Sequence, residues 1–261
     1  MKTTPFADLT GRRALITGCG SAEGIGFAAA TLLGRLGAHV VITATSERIH
    51  ERRDELLAAG ITATSVIADL TDVQQVQHLV DAAGSIDVLV NNAGMGSVTT
   101  GSENGTLANT DATTWSASLE RNLTTAYRLT RSLMQPMIDQ RWGRIVMVSS
   151  VTGPIVAYPG DVAYAAAKAG MTGLTRALAV EVGAYGVTVN AVAPGWIDTA
   201  GATDDERLMG RATPLRRPGT ADEVAAAIGF LCAPESSYVT GTVLVVDGGN
   251  TVQDDKRLIT D

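Results

Sequence analysis

The chain has 261 residues, enough for one large domain with a substantial buried core, and no linker divides it, so we expect a single domain over residues 1–261. Its net charge of −7, with no basic cluster or stripe, argues against nucleic acid or an anionic membrane as the main partner. The three histidines are scattered, and Cys19 and Cys232 are not in metal-ligand spacing, so neither a metal centre nor a disulfide framework is expected.

No segment has the pattern of a targeting or membrane-spanning sequence. Residues 1–6 lack the apolar core of a signal peptide, and no apolar run approaches the ~18 residues that a membrane helix needs. Two cysteines without a framework fit a reducing compartment. We therefore expect a cytoplasmic protein that acts on a small molecule, with no nucleic-acid or membrane partner.

Short apolar runs alternate along the chain with longer Ala- and Leu-rich stretches of helical period. The runs predicted to be strands are residues 13–17, 39–43, 63–67, 86–90, 144–148, 187–192 and 243–246. The stretches predicted to be helices are residues 24–36, 47–59, 72–83, 112–139, 162–183 and 220–232. This alternation implies right-handed crossovers, and it predicts an α/β fold with one doubly wound parallel sheet of about seven strands, the Rossmann type, with helices on both faces.

Two regions interrupt this alternation. Residues 94–111 form a polar loop after the fourth predicted strand, and residues 195–219 form a longer insert after the sixth. Both follow the carboxyl end of a strand, where a lid or substrate loop would lie. The charged tail, residues 254–261, is expected to fray.

A glycine-rich loop joins the first predicted strand to the first predicted helix. Gly18, Gly24, Ile25 and Gly26 belong to this loop, which runs from residue 17 to residue 26. Without side chains in the way, backbone amides and the start of the helix can face a pyrophosphate. The loop alone could be a tight turn, but its place on the first strand of an alternating chain favours a dinucleotide site.

The ends of the third and fourth predicted strands carry two further candidates. Asp69 is placed where a carboxylate can meet an adenine amino group, while Asn91, Ala93 and Gly94 bring small residues close to a ribose. Either feature could be only a turn. Together with the glycine loop, they place candidates at the ends of three strands, which favours a dinucleotide site over three unrelated turns.

The second predicted strand bears on the choice of cofactor. Ala44 stands where NAD-preferring sites usually carry an acidic residue, and Thr45, Ser46 and Arg48 could instead hold a 2′-phosphate. This pattern predicts NADP(H) in preference to NAD(H). Glu23 points the other way, because a carboxylate in the glycine loop would repel that phosphate.

Tyr164 and Lys168 lie four residues apart in a helix-favouring run, so both side chains fall on one face of a helix. An ammonium ~5 Å from a phenol is worth roughly 3 kcal/mol at an effective dielectric of ~20, enough to lower the phenol pKa by about two units. A tyrosine tuned in this way can act as a general acid or base. Upstream, Ser149 and Ser150 close a buried strand, so one of these hydroxyls would emerge at its carboxyl end.

An ordered set of motifs runs along the chain: Thr17-Gly18, Gly24-Ile25-Gly26, Asn91-Asn92-Ala93-Gly94, Asn122, Ser150, Tyr164-Ala-Ala-Ala-Lys168 and Pro194-Gly195. This set resembles the short-chain dehydrogenase/reductase family over essentially the whole chain. Further motifs, at residues 143–146, 186–190 and 246–249, resemble the branch that contains the 3-oxoacyl-carrier-protein reductases.

The resemblance implies a catalytic role for four residues. Tyr164 would exchange a proton with the substrate oxygen, and Ser150 would hold that oxygen. Lys168 would lower the tyrosine pKa and bind the nicotinamide ribose, and Asn122 would support a water that relays protons through Lys168. The family alignment favours Ser150 over Ser149.

The resemblance also implies cofactor contacts after the sixth strand, from Pro194, Gly195, Ile197 and the hydroxyl of Thr199. The implied activity is that of an NADP(H)-dependent oxidoreductase that transfers hydride between nicotinamide and a ketone or secondary alcohol, with a 3-oxoacyl thioester among the candidate substrates. The alternative is a dinucleotide-binding sensor without catalysis, since the fold alone does not separate the two. Trp196 and Tyr158 could line an apolar pocket or simply pack.

The chain departs from the family pattern in two places. Five residues separate Gly18 from Gly24 where three are common, so the phosphate contacts of residues 19–23 do not transfer. Tyr185 replaces a basic residue common in carrier-protein reductases, which leaves Arg141 as the candidate contact to a carrier.

The predicted helix at residues 162–183 bears on assembly, because it is rich in small residues that permit close helix packing. It resembles the family helix that pairs subunits, so we expect a homodimer or homotetramer. A monomer could also bury the same alanines in its own core.

Overall fold

The central feature is a sheet of seven parallel strands in the order β3-β2-β1-β4-β5-β6-β9. The computed structural model describes residues 6–94 and 105–254, so most of the polar loop and of the charged tail predicted above lie outside it. The seven strands are β1 (Arg13–Thr17), β2 (His39–Ala44), β3 (Ala63–Ile67), β4 (Val88–Asn91), β5 (Gly143–Val148), β6 (Val187–Pro194) and β9 (Val243–Val246). Two short strands, β7 (Ile197–Asp198) and β8 (Gly219–Thr220), pair with each other.

Helices cover both faces of this sheet. They are α1 (Ile25–Arg35), α2 (Arg48–Ala58), α3 (Val73–Ala83), α4 (Ala112–Leu119), α5 (Thr125–Asp139), α6 (Val162–Val182), α7 (Asp204–Arg211) and α8 (Ala221–Cys232). Leu33 of α1 and Ile228 of α8 pack on one face with Ile16, while Leu129 of α5 and Met171 of α6 pack on the other. The predicted doubly wound α/β fold is therefore confirmed.

The structure corrects three predicted elements. Strand β4 starts at Val88 rather than Ile86, because Asp87 turns its carboxylate to the backbone N–H of Arg13 at 2.8 Å. The predicted helix at 112–139 is two helices, α4 and α5, joined by a π-helical turn at Glu120–Thr124. The predicted insert at 195–219 contains two short elements that the sequence did not predict, β7 and α7, and it ends at the first residue of β8.

The crossover pattern positions the site. From β1 the chain moves outward through β2 and β3, then returns to place β4 on the other side of β1 and continues through β5 and β6. The loops after β1 and β4 therefore diverge and leave a crevice at the carboxyl ends of these strands. Such a switch point is where open α/β sheets bind their ligands.

Candidate active site

The glycine-rich loop after β1 leaves the start of α1 open. Gly18 has φ +72°, a left-handed conformation that disfavours side chains, and a Cβ there would lie 2.8 Å from Nδ2 of Asn92. Gly24 provides no side-chain cap for α1, whereas Asp72, Asp111 and Thr203 cap the helices that follow them. The first amides of α1 are thus available to an anion such as a pyrophosphate.

Asn92 fastens this loop to the end of β4. Its Nδ2 donates to the carbonyl oxygens of Thr17 at 2.8 Å and Gly18 at 3.2 Å. The hydroxyl of Thr17 in turn accepts the backbone N–H groups of Asn92 and Ala93 at 2.9 and 2.8 Å. The sequence reasoning did not select Asn92, although it stands between two residues that were selected.

The other strand-end candidates differ in what their side chains do. Nδ2 of Asn91 donates to Thr130 at 2.9 Å inside the core, so Asn91 faces the crevice only through its backbone. Ala93 and Gly94 continue the chain past the crevice, and Gly94 has φ +141°. Oδ1 of Asp69 accepts the N–H and hydroxyl of Thr71 at 2.9 and 2.7 Å, which fixes the carboxylate just after β3.

The end of β2 adjoins the glycine loop. Cys19 donates its backbone N–H to Thr43 at 3.0 Å, and a Cβ on Gly20 would lie 3.2 Å from Cβ of Ala44. Beyond Ala44, the candidates at this end are Thr45 and Ser46 in the bend and Arg48 at the first position of α2. Arg48 is exposed and makes no hydrogen bond or ion pair to the rest of the described chain. Glu23, in the glycine-rich loop, is also exposed.

Tyr164, Ser150 and Lys168 meet at the carboxyl ends of β4 and β5. Tyr164 and Lys168 lie one turn apart on α6, with Nζ of Lys168 5.5 Å from the centre of the tyrosine ring. The Ser150 hydroxyl lies near the phenol of Tyr164, whose pKa it lowers, and it accepts the N–H of Thr152 at 3.1 Å. Ser149 points elsewhere, because its hydroxyl donates to the carbonyl of Lys168 at 3.0 Å.

The prediction that the pKa of Tyr164 is lowered is wrong for the protein without a bound ligand. Burial raises the pKa of Tyr164 to about 12; the Ser150 hydrogen bond lowers it, and the charges of Asp161 and Glu206 raise it further. Burial also lowers the pKa of Lys168 to about 8, and its Nζ donates to the carbonyl of Val148 at 3.0 Å. The spacing of the two residues was predicted correctly, but the cost of burying both groups was not.

Asn122 sits in the π-helical turn between α4 and α5. It is fully buried, and its Nδ2 donates to the carbonyl of Ser118 at 3.2 Å. Among the described residues, none donates a hydrogen bond to its Oδ1, which faces Gly94, where an added Cβ would lie 2.9 Å away. π-Helical turns inside helices are frequent at functional sites.

The end of β6 is tied to the segment after β5, and Gly195, which follows β6, is tied to β9. Pro194 accepts the N–H of Val151, and Gly195 donates to Val246, both at 3.0 Å. Ile197 lies in β7, and Thr199 follows that strand with its carbonyl accepting the N–H of Ala202 at 2.9 Å.

Helix α7 is held against β7 by an ion pair. Arg207 of α7 donates to Asp198 of β7 at 2.9 Å. The charge of Glu206 on α7 raises the pKa of Tyr164, so Glu206 lies within electrostatic range of the phenol. Trp196 and Tyr158 pack edge to face, with ring centres 5.9 Å apart.

Residues 6–94 and 105–254 contain no group of three His, Cys, Asp or Glu side chains able to hold a metal, and no helix in these ranges is suited to cross a bilayer. The candidate site has a phosphate-compatible loop on one side and a phenol, a hydroxyl and an amine on the other. Fold and site together define a dinucleotide-dependent oxidoreductase class.

Comparison with known proteins agrees with this class. Residues 18–251 match a family model described as enoyl-(acyl carrier protein) reductase. The chain is 39% identical over 260 residues to oxidoreductase UcpA of Salmonella typhimurium, covering 94% of this chain and 96% of the relative. It is 40% identical over 251 residues to the 3-oxoacyl-[acyl-carrier-protein] reductase FabG of Pseudomonas aeruginosa, covering 92% and 98%.

A solved short-chain dehydrogenase/reductase family protein superposes with a TM-score of 0.85 at 34% identity, covering 94% of this chain and all of that one. The chain belongs to the short-chain dehydrogenase/reductase family. It is an oxidoreductase that acts on C=O and CH–OH groups and uses a nicotinamide cofactor.

Proposed function

We propose that this protein is an NADP(H)-dependent carbonyl reductase, reversible as a secondary-alcohol dehydrogenase. The observation that carries the proposal is the meeting of Tyr164, Ser150 and Lys168 beside the switch-point crevice. A non-catalytic sensor would need the crevice but not this set of proton-handling groups.

The proposed chemistry assigns one task to each side chain. Ser150 holds the substrate oxygen, and Tyr164 gives that oxygen a proton in reduction or takes it in oxidation. Lys168 supplies positive charge beside the phenol and binds the nicotinamide ribose, and Asn122 supports the proton route behind Lys168. The bound cofactor supplies or accepts the hydride.

The proposed cofactor contacts surround the crevice. Gly18, Gly24, Ile25 and Gly26 hold the pyrophosphate through the uncapped start of α1. The remaining contacts run from the adenine end to the nicotinamide end: Thr45, Ser46, Arg48, Asp69, Asn91 through its backbone, Ala93, Gly94, Tyr164, Lys168, Pro194, Gly195, Ile197 and Thr199.

The test of catalysis is cofactor oxidation followed at 340 nm with a panel of ketones that includes a 3-oxoacyl thioester. Native protein should turn over at least one ketone, and Tyr164→Phe should lower kcat/KM by about 10²–10⁴-fold, because the proton donor is gone. Binding of NADPH to the variant, measured by fluorescence, should change little. Tight NADPH binding without turnover of any ketone would instead support the sensor.

NADP(H) preference is supported by Arg48, an exposed guanidinium at the first position of α2 that makes no hydrogen bond or ion pair within the described residues. Arg48→Ala should weaken NADPH binding about tenfold or more while leaving NADH nearly unchanged, because only NADPH carries the 2′-phosphate. Arg35→Ala, which removes an exposed arginine from the opposite end of α1, is the matched control. Equal losses for both cofactors in Arg48→Ala would contradict the assignment.

We also propose a homodimer or homotetramer that pairs through α6 and works in the cytoplasm. An exposed face of α6 carries small or apolar residues at Gly173, Ala177 and Val180. The free, buried state of Cys19 and Cys232 fits a reducing compartment.

A further inference from the structure

Two fully buried polar atoms near the proposed proton route make no hydrogen bond to residues 6–94 or 105–254. They are Oγ of Ser118, in the last turn of α4, and Oδ1 of Asn122. Buried polar groups in proteins almost always have a partner, so each such atom calls for a physical explanation.

The two side chains share one small region. Nδ2 of Asn122 donates to the carbonyl of Ser118 at 3.2 Å, which folds the carboxamide back over Ser118. Residues four apart on a helix are neighbours, with Cβ atoms roughly 5–6 Å from each other. Gly94 forms the third side, and a Cβ there would come within 2.9 Å of Oδ1 of Asn122.

The Ser118 hydroxyl differs from two other buried hydroxyls, one in α5 and one in α6. Those of Thr125 and Thr175 donate to the carbonyl four residues earlier, at 2.8 and 2.9 Å. Ser118 makes no such bond, although Thr114 offers a carbonyl at the same spacing. Its hydroxyl is therefore not satisfied by its own helix, as an ordinary structural serine would be.

A water molecule is the partner that suits both atoms. Ser118 can donate and accept, Oδ1 of Asn122 can only accept, and one water can serve both at once. Protein-enclosed waters of this kind typically make about three hydrogen bonds to otherwise unsatisfied groups.

We propose that Ser118 is a positioning residue that holds a buried water against the carboxamide of Asn122. The inference rests on the proposed function, in which Asn122 supports the proton route behind Lys168. With Nδ2 tied to the Ser118 carbonyl and Oδ1 tied to the water, the carboxamide is fixed at both ends. Ser118 thus acts through Asn122 and touches neither substrate nor cofactor.

The kinetic test compares Ser118→Ala with Ser116→Ala, an exposed serine on the same helix. Ser118→Ala should lower kcat about five- to tenfold, leave KM for ketone and cofactor within about twofold, and increase the solvent isotope effect, because proton transfer slows. Ser118→Thr, which keeps a hydroxyl, should recover most of kcat, and Ser116→Ala should match the native protein. Unchanged kcat and isotope effect in Ser118→Ala would overturn the proposal.

Two further readouts separate positioning from general structural damage. Asn122→Ala should already lose what Ser118 contributes, so the Ser118→Ala/Asn122→Ala double variant should be no slower than Asn122→Ala alone. Losses that simply add would count against a shared role.

A high-resolution crystal structure of the native protein should show an ordered water within hydrogen-bond distance of both Oγ of Ser118 and Oδ1 of Asn122. A dry site would overturn the inference directly. If the native protein turns over no ketone, the proposed function fails, while this crystallographic readout still decides whether Ser118 holds the water.

Discussion

At the scale of single residues, Tyr164 is surrounded by groups that work against each other. Burial and the carboxylates of Asp161 and Glu206 favour the neutral phenol, whereas Ser150 favours the phenolate. Asp161 occupies the N-cap position of α6 without capping it, and burial followed by the charge of Glu206 raises its own pKa. These carboxylates therefore oppose the loss of the proton from the phenol of Tyr164.

Replacing Asp161 with Asn should move the pH dependence of alcohol oxidation to lower pH. Oxidation needs the phenolate, and removing a nearby negative charge lowers the pKa of Tyr164, so the rise in rate with pH begins earlier. At pH 8 we expect a gain of roughly two- to fivefold in the oxidation rate. The measurement is a kcat/KM profile from pH 6 to 10.

Asp222→Asn makes the same change of charge at an exposed position on α8 and serves as the control. An unmoved profile in Asp161→Asn, or an equal shift in the control, would show that Asp161 does not act on the phenol.

Sequence spacing predicted which residues would be neighbours, but not how they would be solvated. The four-residue spacing of Tyr164 and Lys168 places both side chains on one helix face, as observed. Their pKa values depend on how deeply the rest of the fold buries them, and residue spacing carries no information about that burial. For the same reason the sequence did not show that Asn91 turns into the core while Asn92 holds the glycine loop.

At the scale of elements, Glu223 joins the segment after α7 to the start of α8. One carboxylate oxygen accepts the N–H of Thr220 at 2.8 Å in a capping box, and both oxygens take a bidentate hydrogen bond from Arg217 at 2.8 and 2.6 Å. The Arg217 hydrogen bond is the main reason that the pKa of Glu223 falls to about 2.

Glu223→Ala should destabilise the protein by about 1–2 kcal/mol, because it removes both the cap and the ion pair. Glu223→Gln keeps a capping acceptor and should cost less than about 1 kcal/mol, since exposed ion pairs contribute little. The measurement is urea unfolding at pH 7.

The pH dependence follows from the lowered pKa of Glu223. Its stabilising effect is complete above the unfolded-state value near 4.5 and is lost as pH falls toward 2, so the gap between native and Glu223→Gln protein should narrow at pH 3. A gap that is the same at both pH values would contradict the role of the charged carboxylate.

Long periodic elements were predictable, whereas short ones in the insert were not. Strands β1, β3 and β9 match their predicted bounds because their apolar runs are sharply delimited. Helix α7 has eight residues and a strongly charged sequence, and it is held by its capping box and by Arg207. The π-helical turn at Glu120–Thr124 was not predictable, because the helical pattern of apolar residues continues through it without a break.

At the scale of the whole molecule, the alternation of strand and helix was enough to predict the doubly wound sheet, because parallel strands need crossovers and both faces need cover. The association of subunits through α6, expected from the family resemblance, stays a prediction. The small residues of α6 serve its own packing as well: Gly170 is close to Leu123, whereas Gly173 faces open space.

Val180→Glu should convert the assembly to monomers. Val180 is 87% exposed in the single chain, and a carboxylate buried between two α6 helices would cost several kcal/mol without a partner. Native mass spectrometry and size-exclusion chromatography at micromolar concentration measure the result.

Val73→Glu, at an exposed valine on α3, is the control and should leave the mass unchanged. An assembly that survives Val180→Glu intact would place the subunit contact elsewhere.

The side-chain amide of Asn92 helps to determine the shape of the glycine-rich loop after β1. It fastens β4 to the carbonyls at the end of β1, and these strands lead into opposite wings of the sheet. The shape of this loop therefore depends on two separate segments of the chain, the loop itself and the residues that follow β4. A fragment that ends before β4 would contain Gly18, Gly24 and Gly26 but would lack the Asn92 amide that fixes the conformation of their loop.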